Sequence, residues 1–105
     1  MKLRVFEKSI RLRLSDDECR QLASTGRVDR RLVLDAEESH SFAYSVETSS
    51  ASGAALDFRE GRLRVTVAAG EAEILASGLK DAIEAVHSTP GGGSIAILIE
   101  RDYAQ

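Results

Sequence analysis

The chain has 105 residues, of which 14 are basic and 17 acidic, and its formal net charge is −3. This length allows one hydrophobic core rather than two. The charge argues against a surface built throughout to bind nucleic acid or an anionic membrane. Hydrophobic residues make up 43% of the chain and charged residues 30%, which is typical of a folded domain. We therefore expect residues 1–105 to form a single domain.

The first half of the chain predicts two strands, a helix and two more strands. Apolar and basic residues alternate over 2–5 and 10–14, as in strands with one buried face, and residues 7–9 can close a hairpin. Ser15 and Glu18 form a capping-box motif, so we expect a helix over 15–25 that ends at Gly26. Strands over 28–34 and 41–48 follow, separated by an acidic turn over 35–39.

The second half repeats this order after a small, polar loop over 49–53. Residues 56–59 and 62–67 read as a hairpin around Glu60-Gly61, and a helix is expected over 69–77, ending near Gly78. Residues 80–87 fit either a helix continuation or a strand. Residues 90–93 form a glycine-rich loop, and the strand over 95–102 is apolar on both faces, which indicates a central position.

Aligning the halves suggests an internal duplication of residues 1–48 and 54–103. The segment Arg11-Leu12-Arg13-Leu14 falls on Arg62-Leu63-Arg64-Val65, and Leu22-Ala23-Ser24 falls on Leu75-Ala76-Ser77. The alignment also places 80–87 on the strand over 28–34, so we predict a strand there. The fold class is α+β: a duplicated strand-strand-helix-strand-strand unit forms an antiparallel curved sheet, or a small eight-stranded barrel, with two short helices.

Two stretches resemble a family of small bacterial proteins catalogued as a domain of unknown function. They are residues 2–18, around Ser9-Ile10-Arg11-Leu12-Arg13-Leu14-Ser15, and the ending Ile97-Leu98-Ile99-Glu100-Arg101-Asp102-Tyr103. The likeness spans most of the chain. It implies a small soluble bacterial protein and supplies no catalytic residues to carry over.

The doubled topology also resembles the CYTH and triphosphate-tunnel fold, whose members bind triphosphates inside a wide barrel through basic residues and metal-binding glutamates. That family's first strand carries alternating glutamates followed by lysine. Here Lys2-Leu3-Arg4-Val5-Phe6-Glu7-Lys8 has basic residues in those places. The departure argues against hydrolase activity.

Basic residues alternate along the predicted strands and are the candidate anion-binding site, because arginine offers paired hydrogen bonds to phosphate or carboxylate. If the two hairpins are neighbours, one face carries Lys2, Arg4, Arg11, Arg13, Arg62 and Arg64. The alternative is a solvated face paired across strands with Glu47, Asp57, Glu100 and Asp102. We expect the apolar residues of these strands to point inward and the arginines outward, since two short helices cannot cover an apolar exterior.

No catalytic or metal-binding constellation emerges from the other polar residues. His40 and His87 do not occupy equivalent positions in the two halves, and Glu38 near His40 is the nearest approach to a metal pair. Cys19 lies on the apolar stripe of the first helix and reads as a small buried residue. Gly91-Gly92-Gly93 lacks the helix and lysine of a phosphate loop. We therefore expect no metal and no cofactor.

Location and function follow from these exclusions. The single cysteine excludes an internal disulfide, the N-terminal charges do not fit a signal peptide, and the longest apolar run is five residues. We therefore expect a cytoplasmic protein without membrane contact.

The functional hypothesis is a non-enzymatic binding or interaction module, with a second copy as one partner to test. The alternative is a CYTH-like hydrolase that binds phosphate or polyphosphate, an anionic small molecule, through the basic strand face. Low aromatic content, 5%, disfavours single-stranded nucleic acid as a partner.

Overall fold

The computed structural model describes residues 1–35 and 41–102, which form eight strands and two helices in the predicted order. The strands are β1 (Lys2–Val5), β2 (Ser9–Leu14), β3 (Arg27–Val33), β4 (Ser41–Ser49), β5 (Ala55–Arg59), β6 (Arg62–Ala68), β7 (Ala82–Ser88) and β8 (Ser94–Arg101). The helices are α1 (Asp16–Thr25) and α2 (Ala69–Ser77). The α+β class is therefore confirmed, and the segment that fitted either helix or strand is the strand β7. Part of the acidic turn over 35–39 lies outside the described residues.

The strands form two mixed sheets. The first sheet has the order β1-β2-β8-β7 and the second has the order β3-β4-β6-β5. Hairpin partners are antiparallel, whereas the central pairs β2–β8 and β4–β6 are parallel. The prediction of a wholly antiparallel sheet was wrong. Its physical reason is that β2, β4, β6 and β8 all end on the side where the helices lie, so two of them placed side by side run in the same direction.

The described strands do not close into a barrel. Backbone pairing stops at β1 and β7 in the first sheet and at β3 and β5 in the second. Side-chain bonds link the two sheets: the backbone N–H of Leu56 on β5 donates to His87 Nδ1 on β7 at 3.3 Å, and Tyr44 Oη on the central strand β4 donates to the carbonyl oxygen of Met1 at 3.1 Å. The two sheets are thus separate layers around one core.

The core lies between the inner faces of the two sheets and beneath the helices. Leu12 and Ile99 contribute to it from the first sheet, and Val46 from the second, all with no exposed surface. Cys19, Leu22 and Leu75 are equally buried on the helices. The predicted inward direction of the apolar side chains is confirmed for β2 and β6, whereas Val5 at the end of β1 is 66% exposed. Each large aliphatic side chain buried in this way contributes about 1.5–3 kcal/mol to folding.

Local signals explain why α1 begins and ends where it does. The Ser15 side chain accepts a hydrogen bond from the Glu18 backbone N–H, and the Glu18 side chain accepts one from the Ser15 backbone N–H, which is the predicted capping box. Gly26 ends the helix with a left-handed φ of 80°. The N-cap of α2 is Ala68, which has no side-chain cap, and Gly78 ends that helix in the same left-handed way.

Arg101 ties both helices to the first sheet. Its guanidinium forms an ion pair with Asp16 at the start of α1 and donates hydrogen bonds to the carbonyl oxygens of Leu75 and Ala76 near the end of α2. The side chain is only 8% exposed. No helix in the described part of the chain is long and apolar enough to span a membrane.

Candidate interaction surface on the first sheet

The six basic residues of the predicted anion site occupy two different sheets. Lys2, Arg4, Arg11 and Arg13 lie on β1 and β2 of the first sheet, whereas Arg62 and Arg64 lie on β6 of the second. The arginines of β2 and β6 alternate with buried apolar residues and therefore point away from the core, and strand register places Lys2 and Arg4 on the same side as Arg13 and Arg11. The condition that the two hairpins be neighbours is not met, because β2 pairs with β8 and β6 pairs with β4. The six side chains do not form one site.

Three of the four basic residues of the first sheet have an ion-pair partner within the chain. Arg13 Nε donates to Glu100 Oε1 at 2.6 Å, and Arg11 Nε lies 3.7 Å from the same oxygen. Lys2 Nζ lies 3.0 Å from Asp102 Oδ2. The hydrogen bond and the charge of Glu100 raise the pKa of Arg13. The pairing with Glu100 and Asp102 expected under the solvated-face alternative is therefore present.

The basic residues of the second sheet are paired in the same way. Arg64 Nε lies 3.0 Å from Glu47 Oε2, and Arg62 Nη1 lies 3.8 Å from Asp29 Oδ2. They border a shallow polar hollow of about 580 Å³ that also contains carboxylates, lined by Asp57, Arg59, Glu60, Arg62 and Arg64. The mixture of signs does not concentrate positive charge as an anion site does.

The interior is filled by apolar side chains, in contrast to the basic interior of a triphosphate tunnel. Leu12, Val65 and Ile99, one from each of three strands, have at most 1% of their surface exposed. The arginines that alternate with them lie on the outer faces. Nothing in the arrangement of residues 1–35 and 41–102 supports the CYTH likeness.

A shallow apolar groove of about 440 Å³ crosses the outer face of the first sheet. Strand register places Arg4, Arg11, Leu98 and Glu84 in one row across β1, β2, β8 and β7. The neighbouring row contains Ser9, Ala96 and Val86, and Phe6 joins this row because its N–H bonds to the Ser9 carbonyl at 2.8 Å. We call this surface the contact face; it consists of Arg4, Phe6, Ser9, Arg11, Glu84, Val86, Ala96 and Leu98.

The contact face exposes apolar side chains of the turn between β1 and β2, of the edge strand β7 and of the central strand β8. Phe6 is 52% exposed and Val86 63%, and Ala96 on β8 is also exposed. On the opposite side of β8, Ile97 and Ile99 are buried at 2% and 0% exposure. The central position predicted for this strand is confirmed. Only one of its two apolar faces is covered by the described residues.

Two opposite charges without ion-pair partners flank this apolar surface. Within residues 1–35 and 41–102, neither Arg4 on β1 nor Glu84 on β7 forms an ion pair. They sit at opposite edges of one row, and three strand spacings separate them by about 14 Å. Their side chains are therefore too far apart to pair within one chain.

Sequence reasoning identified Arg4 and Arg11 but missed Phe6, Glu84, Val86 and Leu98. The missing information was the pairing of β2 with β8, which brings residues from the two ends of the chain onto one face. The available signal was that the last strand is apolar on its outer face as well as on its inner face. This pattern was interpreted as a strand that is buried on both sides.

A second group of exposed apolar side chains lies at the corresponding end of the second sheet. It comprises Leu32, Val33, Leu34 and Phe58. This group adjoins residues 36–40, which lie outside the described part of the chain. The candidate surface is therefore built on the first sheet, whose four strands and the turns between β1 and β2 and between β7 and β8 are fully described.

Glu18 is the centre of a largely buried polar cluster that joins β1, α1 and β3. One carboxylate oxygen accepts from the amino group of Met1 at 2.6 Å and from Arg30, while the other accepts from the Ser15 backbone N–H at 2.9 Å. Burial acts to raise the pKa of Glu18. The hydrogen bonds from Met1 and Ser15 and the charges of Met1 and Arg30 outweigh it, so the pKa is lowered. The sequence predicted the cap but not the Arg30 contact.

No metal-binding group of three histidine, cysteine or acidic side chains exists in residues 1–35 and 41–102. The Glu38–His40 pair lies outside the described residues. His87 Nδ1 accepts a backbone hydrogen bond from Leu56. Cys19 has no exposed surface, and burial raises the pKa of its thiol, so the prediction of a small buried residue is confirmed.

Comparison with known proteins adds one finding. The model of a family of unknown function matches residues 1–104. No curated protein and no solved structure matches the chain.

Proposed function

The chain belongs to the family of unknown function DUF7009, and on that premise we propose that it is a non-enzymatic interaction module that binds a protein through the contact face. The single observation that carries this proposal is the apolar outer face of β8, exposed at Ala96 and half-buried at Leu98, together with its exposed neighbours Phe6 and Val86. Apolar groups grouped on a central sheet strand are the kind of surface that another protein covers.

The composition of the contact face supports binding to protein rather than to a small anion. Its apolar groups are Leu98 and Ala96 on the central strand β8 and Val86 on β7, whereas Arg4 and Glu84 stand at its edges. The charge on its other central strand, Arg11, lies 3.7 Å from Glu100 within the chain. Apolar groups with arginine beside them and charges at the rim are usual in a protein–protein interface. A phosphate or polyphosphate would gain little from the apolar centre, because its oxygens require hydrogen-bond donors.

Site-specific photo-crosslinking tests the proposal. A photoreactive phenylalanine analogue replaces Val86 on the contact face or, as a matched control, Leu79, which is 80% exposed beyond the end of α2. In living cells, irradiation of the Val86 variant is expected to give a discrete protein adduct that the Leu79 variant does not give. Equal adduct patterns from the two positions, or no adduct from either, would contradict the proposal.

We also infer an internal duplication of residues 1–48 and 54–103. Its support is the repeated element order and the two sheets, whose orders, β1-β2-β8-β7 and β5-β6-β4-β3, correspond when the halves are exchanged. A bacterial source and a cytoplasmic location complete the proposal. The bacterial source rests on the family resemblance, and the cytoplasmic location fits the single buried thiol, which needs no oxidising compartment.

A further inference from the structure

We infer that the protein bound at the contact face is a second copy of this chain, packed face to face about a twofold axis parallel to the strands. This inference rests on the proposed function and gives its partner an identity. It follows from the order of charges and apolar groups across the first sheet.

A twofold axis along the strands, midway between β2 and β8, places β1 of one copy over β7 of the other. Arg4 then faces Glu84 of the partner subunit, and symmetry forms the same pair a second time. In the neighbouring row, Phe6 faces Val86 of the partner subunit. The two charges that lack a partner within one chain thereby complete each other, and the two most exposed apolar side chains of the face cover each other.

The alternative in-plane axis, perpendicular to the strands, places like edges together. It lays β1 on β1, which carries Lys2 and Arg4, and β7 on β7, which carries Glu84. Like charges in direct opposition are destabilising. Charge therefore selects the axis along the strands, which pairs the opposite charges at the edges and places Arg11 over Leu98 of the partner subunit.

The size of the face predicts a weak dimer. The eight residues of the contact face span four strands about 4.8 Å apart and about four residues at about 3.4 Å along each strand, a flat area of about 260 Å². A standard stable interface buries about 800 Å² on each partner. We therefore expect a dimer that dissociates on dilution rather than an obligate one.

Sedimentation of the purified full chain tests the inference. From about 10 µM to about 1 mM, the wild-type protein is expected to shift from monomer to dimer. Arg4→Glu and Glu84→Arg each replace two attractive contacts with two repulsive ones, and each variant is expected to dimerise about tenfold more weakly. Arg59→Glu, a charge reversal on the exposed edge of the second sheet, serves as the matched control and is expected to behave as wild type.

Charge exchange provides the decisive arm. An equimolar mixture of Arg4→Glu and Glu84→Arg restores both contacts in a heterodimer, and so does the double variant Arg4→Glu/Glu84→Arg in a homodimer. Restored association supports the inference and shows that the single variants are folded. A wild-type chain that stays monomeric at about 1 mM, or a dimer that neither substitution weakens, overturns it.

The crosslinking experiment separates this inference from the proposed function. An adduct at Val86 with the mass of two chains agrees with both. An adduct with another protein, together with a purified chain that stays monomeric, agrees with the proposed function. It contradicts the inference that the partner is a second copy of this chain. The absence of any adduct, with a monomeric chain, overturns both.

Discussion

Arg13 and Glu100 are joined side chain to side chain across the centre of the first sheet, although 87 residues separate them in the chain. The bond of 2.6 Å between Arg13 Nε and Glu100 Oε1 spans the parallel pair β2–β8. This pairing unites the beginning and the end of the chain in one sheet. It also brings the halves of the contact face together.

An engineered disulfide checks the parallel register. Arg13 and Glu100 are Cα partners on the outer face, so the double variant Arg13→Cys/Glu100→Cys is expected to oxidise to an internal disulfide. The matched control, Arg13→Cys/Ser94→Cys, places the thiols about 20 Å apart along β8 and is expected to stay reduced. Peptide mapping under non-reducing conditions distinguishes them. A bond in the control, or none in the register pair, contradicts the parallel arrangement.

The sequence predicted the elements of this pairing but not the pairing itself. Period-two alternation identified the strands and their inner faces, because burial acts on every second residue. Alternation is the same for parallel and antiparallel neighbours, so it could not place β2 beside β8. The basic residues of β2 and β6 were consequently grouped on one face, whereas the structure puts them on separate sheets.

The polar contacts of α1 show the same division between local and distant information. Ser15 and Glu18 are three residues apart, and their mutual capping was readable from that spacing. The contact between Glu18 and Arg30 requires β3 to return beside α1, which depends on how the two sheets pack. Residues that meet only through tertiary packing leave no signal in a single sequence.

Glu18→Gln is expected to destabilise the fold at neutral pH by about 1–3 kcal/mol, because it leaves the Met1 amino group and Arg30 without their anion. The folded state lowers the pKa of Glu18. The unfolded state therefore binds a proton at Glu18 more readily than the folded state does. The extra free energy of unfolding that the carboxylate gives the wild-type protein is complete above the unfolded pKa of about 4.3. It is lost as the pH falls through the folded pKa.

Urea unfolding of wild type and Glu18→Gln at several pH values, from about 7 down to about 3, measures this difference. The gap between the two free energies of unfolding is expected to narrow toward low pH. A gap that is constant or that widens on acidification would show that the carboxylate charge does not stabilise this cluster.

The two glycines that end the helices provide a matched pair. Gly26 and Gly78 have φ values of 80° and 83°, so alanine at either position is strained by about 1–2 kcal/mol. A Cβ at Gly26 would also lie 2.9 Å from Thr48 Oγ1, whereas a Cβ at Gly78 has no neighbour within 4 Å. Thermal and urea unfolding are expected to show a larger loss for Gly26→Ala, by about 1 kcal/mol.

The contact with Thr48 can be removed to identify the cause of that difference. In a Thr48→Ala background, Gly26→Ala and Gly78→Ala are expected to cost the same free energy of unfolding. Persistence of the difference in that background would show that it does not come from the Thr48 hydroxyl.

Cys19 is expected to resist thiol reagents in the folded protein. It has no exposed surface, and burial raises the pKa of its thiol, so little reactive thiolate forms near neutral pH. Labelling with an aromatic disulfide reagent should be slow in buffer and fast in denaturant. Equal rates in the two conditions would contradict a core position for this residue.

The central claim is that the outer face of the first sheet is a contact surface. Oxidative footprinting of two phenylalanines tests this claim most directly. Phe6 lies on that face at 52% exposure, and Phe58, at 61%, lies on the second sheet and acts as an internal reference. Hydroxyl-radical modification is compared by mass spectrometry between the dilute purified chain and the chain in living cells. The account predicts that the ratio of Phe6 to Phe58 modification falls in cells. An unchanged or higher ratio would contradict it.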